Sequence, residues 1–502
     1  MVKKVVFDDE ITLFWDIDWS SDYKVEYQIF LNEKLIAKTD KTHFEFKNLL
    51  ENQAYTVRIE RLSKENTPEL FFTEEIMTKK KKSRIDVTKS PYFALGDGIS
   101  KNTEKIQKAL DDCDDCSCVY FPKGTYLVGA LNVKSDTEIY LDCGAILQGT
   151  AEVSDYAPKC LSRFEGIELE CYRALLNIGK MDNRGGCDCK NVVIRGGGTV
   201  SGGGKPLACA IIDSEKERLK EFLEKNKEYV SSCECELTIP GRARSKLVSV
   251  CNAENVIFSN VTFQYGSTWN VHMVYSKNVV TYNCNIVSHD VWNGDGWDPD
   301  SSEDCTLFAC NLDTGDDGVA IKSGKNPEGN IINRPTKNVR IFDCHGKDGI
   351  AIGSELSGGI ENVYIWDCDM STGNRGFRIK TTKKRGGYVK NVRMKDCYFS
   401  GIRVFSSYDC NDDGESSNQL TQIQDIQIAN VICNSVVAKF PTENGFYEYP
   451  GFVLEGFDEK EYHIKNVKIK GLTIKNQDKC GIMPMQIKNV SNVDIKDLSF
   501  EE

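Results

Sequence analysis

The chain has 502 residues with 75 acidic and 63 basic side chains, a formal charge of -12, which argues against general nucleic-acid binding and means that any acidic ligand needs a locally basic site. No run approaches the roughly 20 apolar residues that span a bilayer, and Met1-Val2-Lys3-Lys4-Val5-Val6-Phe7-Asp8 is too short an apolar stretch for a signal peptide. Without an export signal the 21 cysteines are expected to be reduced thiols, and the cytoplasm is the expected location.

Residues 1–80 alternate apolar and polar positions in short runs, such as Val25-Glu26-Tyr27-Gln28-Ile29-Phe30 and Tyr55-Thr56-Val57-Arg58-Ile59. Turn residues separate the runs, which predicts a small antiparallel β-sandwich. With its early Trp15 and the run from Asn48 to Val57, this segment resembles a fibronectin type III module. Residues 81–89, entered through the lysines from Lys79 to Lys82, read as a solvated linker. Cys113-x-x-Cys116-x-Cys118 and Cys233-x-Cys235 lack a matching pair at zinc-site spacing, so neither a metal nor a cofactor is expected.

From about residue 90 to residue 502 a repeat governs the pattern. Each unit starts with Asn or Asp and reaches a small or apolar residue six positions later: Asn278 to Cys284, Asp304 to Cys310, Asn338 to Cys344, Asn362 to Cys368 and Asn391 to Cys397. The same register runs from Asn255 to Val261, Asp425 to Val431, Asn466 to Leu472 and Asn492 to Leu498. Period-two alternation within a recurring unit predicts a parallel β-helix whose inward residues stack coil on coil. The cysteines from Cys284 to Cys397 then form an internal ladder, and each leading Asn is expected in a turn, bonded to local backbone. One interruption, near residues 214–230, has helical spacing with Leu219, Phe222 and Leu223 on one stripe. It is an insertion over the solenoid.

Polar clusters on four successive coils mark the chemistry: Asn293-Gly294-Asp295-Gly296, Gly315-Asp316-Asp317-Gly318, His345-Gly346-Lys347-Asp348, and Arg378-Ile379-Lys380. Neighbouring coils lie about 4.8 Å apart, so the column is about 15 Å tall and suits two or three sugar units. Crowded carboxylates disfavour joint ionisation and separate their pKa values, the arrangement used for acid/base cleavage of a glycosidic bond. Arg378 and Lys380 leave the same strand face and could read a sugar carboxylate.

These motifs, in this order, resemble glycoside hydrolase family 28, the polygalacturonases. Gly353-Ser354-Glu355, Gly96-Asp97-Gly98, Phe121-Pro122 with Gly124-Thr125-Tyr126, and Trp269 with His272 belong to the same resemblance. It covers roughly residues 90–500. The fibronectin-like leader and Gly353-Ser354-Glu355-Leu356-Ser357-Gly358-Gly359 are similar to its bacterial exo-acting branch. The resemblance implies an all-β chain: a right-handed parallel β-helix of the pectin-lyase type after a small β-sandwich. It implies Asp316 as the general acid, Asp295 and Asp317 as the carboxylates that hold and activate water, and Arg378 and Lys380 as binders of the substrate carboxylate. Asn293, His272, His345 and Lys347 are further substrate-binding candidates, and Arg403 and Tyr408 follow on the next coil. Adjacent Asp316 and Asp317 can both serve only if their turn is irregular, which Gly315 and Gly318 permit.

One departure from the family stands out. Its Gly-His-Gly is replaced within His345-Gly346-Lys347-Asp348-Gly349, with either Lys347 or Asp348 at the histidine's place and with His345 or His289 as substitutes. The expected activity is inverting, exo-acting release of galacturonic acid from short pectic oligosaccharides. Alternatives are hydrolysis of a rhamnogalacturonan-type or other uronide, and a carbohydrate-binding solenoid with impaired catalysis. An acidic oligosaccharide is the expected partner, without nucleic acid or membrane; homo-oligomerisation stays open.

Overall fold

The apolar alternation of the first eighty residues builds seven antiparallel strands: β1 (Lys3–Val6), β2 (Ile11–Phe14), β3 (Tyr27–Leu31), β4 (Lys34–Thr39), β5 (His43–Phe46), β6 (Ala54–Leu62) and β7 (Pro68–Met77). They form a three-stranded sheet in the order β1-β2-β5 and a four-stranded sheet in the order β4-β3-β6-β7. Ile11, Leu13, Trp15, Tyr27, Ile29, Val57 and Ile59 share one apolar core, with Trp15 edge-on to Tyr27 at 5.1 Å. The computed structural model describes residues 1–181, 186–407, 410, 413–434, 438–442, 445–475 and 485–501. The chain divides into two units, Met1–Arg84 and Ile85–Glu502. The expected linker therefore needs correcting: Ile85 and Asp86, which end the strand Ser83–Asp86, already belong to the second unit.

The second unit is the right-handed parallel β-helix, with a 22-stranded and an 11-stranded sheet wound around one apolar core. Helix α1 (Thr103–Asp112) adds Ile106, Ala109 and Leu110 to that core. Cys284, Cys310, Cys344, Cys368 and Cys397 are all buried in it as successive rungs. The leading residues Asn255, Asn278, Asp304, Asn338, Asn362 and Asn391 adopt left-handed backbone with φ between 54° and 59°, a conformation that Asn and Asp tolerate. Their side chains bond to one another and not to local backbone, contrary to expectation. Asn338 Nδ2 donates to Asp304 Oδ1 at 3.1 Å, Asn362 to Asn338 at 3.1 Å and Asn391 to Asn362 at 2.7 Å. An amide both donates and accepts, so equivalent amides one coil apart satisfy each other.

The helical insertion begins earlier than its sequence suggested. It comprises α2 (Gly204–Arg218), α3 (Lys220–Lys225), α4 (Lys227–Ser231) and α5 (Thr238–Gly241). The face that buries is Leu207, Ala208, Ile211 and Ile212 of α2, whereas α3 buries nothing and Phe222 is exposed. The stripe at Leu219, Phe222 and Leu223 is thus not the packing face.

Candidate active site

The chemistry lies on the 11-stranded sheet. Strands Val271–Val274, Trp297–Asp300, Val319–Ile321, Ile350–Ile352 and Phe377–Lys380 are consecutive there. Val271, Trp297, Val319, Ile350 and Phe377 point into the apolar core. Period-two alternation then turns His272, Asp298, Ala320, Ala351 and Arg378 to the other face, one per coil. Between Asp298 and Arg378 this row carries only two alanine methyls, both buried.

A second column precedes these strands by two residues. Counting back from the paired Trp297, Val319, Ile350 and Phe377 places Asp295, Asp317, Asp348 and Arg375 in line, each followed by glycine. Backbone bonds hold this register: Gly296 N to Asp317 O at 3.0 Å, Val319 N to Gly349 O at 3.1 Å and Ile350 N to Gly376 O at 2.9 Å. The coils approach so closely that a Cβ on Gly349, whose φ is +74°, would lie 1.9 Å from Gly376 O. Only glycine fits that corner. Asp316 precedes Asp317 in an irregular turn, and its Oδ1 accepts from Asp317 N at 2.9 Å. Arg375, paired with Asp316, also comes within 3.8 Å of Asp317 Oδ1, so the two neighbouring carboxylates face one cation.

Four cations meet these carboxylates. Lys322 Nζ lies 2.9 Å from Asp295 Oδ2 and 3.9 Å from Glu355. Arg378 pairs with Asp317 Oδ1, Lys380 Nζ donates to Asp317 Oδ2 at 3.0 Å, and Arg375 pairs with Asp316. Burial pushes the Asp295 carboxyl up, and the charge of Asp317 adds to that against the pull of Lys322. Burial also acts on Asp317, but Arg378 and Lys380 outweigh it and hold that carboxyl below its ordinary value. Asp298 goes furthest: it is fully buried, neither carboxylate oxygen has a hydrogen-bond partner among the described residues, and burial raises it well above the usual range. Asp348 rises to about 6, through burial first, with Asp317 and Asp313 adding and Lys347 opposing. One carboxylate held below its ordinary value beside others that favour their protons is the arrangement that acid/base chemistry uses.

The remaining candidates separate. Asn293 has φ of +53° and spends its side-chain oxygen on Arg244 Nη2 at 2.6 Å, so it braces the Asp295 turn. His272 is not at a ligand-accessible surface: it is fully buried, its Nε2 lies 3.4 Å from Asp300 Oδ2, and burial lowers it to about 4. Burial raises Asp300 but Arg163 outweighs it, bringing the carboxyl to about 2. His345 is exposed on a strand of the larger sheet, paired with Asn311, and is not brought to the column. Lys347 is exposed beside Asp348, which it favours in the charged form. The histidine's place in the column belongs to Asp348. His289 is exposed and pairs with Asp313 at 3.0 Å. Arg403 is fully buried, with Nε on Pro450 O at 3.2 Å, and Tyr408 lies outside the described residues.

Several segments crowd one side of the sheet. Arg242, just after α5, joins Glu165 at 2.9 Å to Asp413 at 2.7 Å, and Asp413 also takes Lys325 and the Tyr229 hydroxyl. Arg244 reaches back to Gly241 O at 2.8 Å as well as to Asn293. The hairpin Cys160–Phe164 with Ile167–Cys171 supplies Arg163, bonded to Asp300 Oδ1 at 2.8 Å. Phe164 stacks on Trp269 at 4.7 Å, and Lys322 Nζ lies 4.7 Å over the same indole.

Sequence reasoning missed Asp298, Lys322 and Arg375. A signal existed for the last. Asp295-Gly296, Asp317-Gly318, Asp348-Gly349 and Arg375-Gly376 each stand two residues before a strand's inward apolar residue, and that recurrence aligns the column. Lys322 and Asp298 look like ordinary strand-edge charges until the fold buries them.

Three comparisons bear on this geometry. The profile of the Glycosyl hydrolases family 28 matches residues 122–481. The exo-poly-alpha-D-galacturonosidase of Dickeya chrysanthemi is 24% identical over 553 residues, covering 98% of this chain and 88% of that protein. The family 28 exopolygalacturonase of Yersinia enterocolitica superposes with a TM-score of 0.80 at 20% identity, over 99% of this chain and 98% of that one. The hyperthermoactive exopolygalacturonase of Thermotoga maritima gives 0.63 at 23% identity, over 82% and 91%.

Proposed function

Since the chain belongs to glycoside hydrolase family 28, we propose that it is an exo-acting enzyme that releases galacturonic acid from the ends of pectic oligosaccharides with inversion at the anomeric carbon. The observation that carries this reading is the gathering of Asp295, Asp316 and Asp317 against the cations Arg378 and Lys380, which sets bond-cleaving carboxylates beside basic groups suited to a uronate. The two exopolygalacturonases and the exo-poly-alpha-D-galacturonosidase named above support the substrate class and the exo mode.

In this reading Asp316 is the general acid. Its side chain is 27% exposed against 6% for Asp295 and 3% for Asp317, so it alone of the three meets a leaving oxygen in the cleft. Asp295 and Asp317 orient water on the opposite face of the sugar. That water attacks the anomeric carbon, the glycosidic bond breaks toward the oxygen protonated by Asp316, and the water's proton passes to the Asp295–Asp317 pair. Inversion requires the acid and base carboxyls to stand about 6.5–9.5 Å apart so that water fits between them. A second reading, another uronide such as a rhamnogalacturonan fragment, draws on Asp348 in the family histidine's place.

The N-terminal unit, with its three- and four-stranded sheets, is proposed to be fibronectin type III-like. A reducing, cytoplasmic setting is also proposed, in keeping with twenty cysteines that are free thiols among the described residues.

Product analysis by chromatography and proton NMR on galacturonate and rhamnogalacturonate oligomers tests the assignment. Single β-configured galacturonic acid units should appear from the start, and Asp316→Asn should lower kcat by about 10²–10⁴-fold. A random ladder of products would refute the exo mode, and α-configured product would refute inversion.

A further inference from the structure

A general acid must carry a proton when the leaving group departs, yet the side chain placed in that role is ion-paired in the empty site. Arg375 pairs with Asp316, whose Oδ1 also accepts from Asp317 N. Both donors favour the carboxylate. The pairing is unlike those beside it. Arg378 is 3% exposed and Lys380 16%, both held on Asp317, whereas Arg375 is 26% exposed and has further acceptors within reach: Asp317 at 3.8 Å and Asp348 at 3.9 Å. The residue after it is fixed as glycine, because Gly376 has φ of +58° and a Cβ there would lie 2.2 Å from Gly401 O.

We propose that Arg375 is an exchangeable counter-ion: in the empty site it neutralises Asp316, and the carboxylate of a bound uronate draws it away, so that Asp316 takes up the proton it must deliver only when an acidic sugar is present. The proposal rests on the assignment of Asp316 as the acid. Arg375 is thus a positioning residue that acts through Asp316. The proton comes from solvent, which reaches the partly exposed Asp316, and it leaves with the glycosidic oxygen. After the product departs, the re-ionised Asp316 recovers its partner.

The groups facing Asp316 favour this exchange. Asp317 is neutralised from its far side by Arg378 and Lys380. On the next coil Asp348 is raised to about 6 and so is largely neutral in mild acid, while exposed Lys347 flanks it. Asp313, at the rim, is engaged by His289 at 3.0 Å. When Arg375 leaves, Asp316 is left next to Asp317 without its own cation, and like charge at that range raises a carboxyl. The device selects for acidic substrate in the proton step itself, beyond any selection in binding.

The test is a carboxyl-¹³C NMR titration of the full-length enzyme, with the Asp316 signal identified by its loss in Asp316→Asn. In wild type, Asp316 should titrate below the ordinary aspartate value. In Arg375→Gln it should rise by about one to three units, and in Arg375→Lys it should fall back toward wild type. Saturating galacturonate should raise Asp316 in wild type and leave Arg375→Gln unmoved. In kinetics, the preference of kcat for a galacturonide over its methyl ester should shrink about tenfold or more in Arg375→Gln, and the basic limb of its kcat/KM profile should move to higher pH. An Asp316 titration indifferent to Arg375→Gln, or to galacturonate in a wild type that cleaves galacturonides, would overturn the proposal. A wild type inactive on every galacturonide would instead defeat the functional reading, and the exchange with it.

Discussion

Two ladders of similar residues climb this solenoid, and they solve opposite problems. On the larger sheet, Asn255, Asn278, Asn338, Asn362 and Asn391 stand at coil starts, and their amides bond to the coil before: Asn278 to Asn255 at 2.8 Å, Asn362 to Asn338 at 3.1 Å. On the smaller sheet Asp295, Asp317 and Asp348 stack at the same spacing, but a carboxylate can only accept, so neighbours repel. That column depends on imported cations: Lys322, Arg378, Lys380 and Arg375. One ladder is self-sufficient and holds coils together. The other stays frustrated in the direction of its own axis, and burial, which raises Asp295 and Asp348, together with the cations that hold Asp317 down, separates the carboxyl pKa values.

The sharpest way to break the comparison is to remove an imported cation. Lys322→Met leaves the buried Asp295 and the half-buried Glu355 without their shared partner, and should lower the unfolding free energy of the enzyme by about 3–5 kcal/mol in urea titrations at neutral pH. A loss under about 1 kcal/mol would mean the cations are not what makes the column tolerable.

A gentler change relieves the repulsion. Asp348 is raised to about 6, so the folded chain binds its proton more tightly than the unfolded chain between roughly pH 4 and 6, and its contribution to stability falls as pH rises through that window. Asp348→Asn lacks this loss. Its stability relative to wild type should climb by about 2–3 kcal/mol from pH 4 to pH 7 and then level off, as read from denaturation midpoints across that range.

The smallest expected effect comes from converting the other ladder. Asn338→Asp sets a carboxylate against Asp304, with which the native amide bonds at 3.1 Å. It should lose about 1–2 kcal/mol at pH 7 and regain part of it below the carboxylate range, with hydrolytic activity unchanged. Equal stability at both pH values would show that amide pairing contributes little.

The legibility of these features follows the range of the interactions that make them. Asn278 to Cys284 and its repeats announce an inward rung and a turn within seven residues, so the β-helix and the cysteine ladder were readable, as were Asp295, Asp316, Asp317, Arg378 and Lys380. The bonding of the asparagines was not, because their partners are a whole coil away. His272 shows the limit most plainly: its neighbours in sequence, Val271 and Met273, place it on the outward face, but the hairpin bearing Arg163 and Phe164 is what buries that face. The pairing of Arg375 with Asp316 spans 59 residues.

By itself, then, the amino-acid sequence determined the solenoid, its register and the carboxylates gathered on its smaller sheet, since periodicity and the glycine after each corner residue are local and repeat. Tertiary structure alone decided which carboxyls burial raises and which the cations hold down, that Asp348 and not Lys347 or His345 completes the column, and which outward faces are closed to ligand. Those outcomes depend on burial and on charges brought together from distant coils, and electrostatic free energy in a low-dielectric setting is a property of assembled neighbours, with no counterpart in the order of residues along the chain.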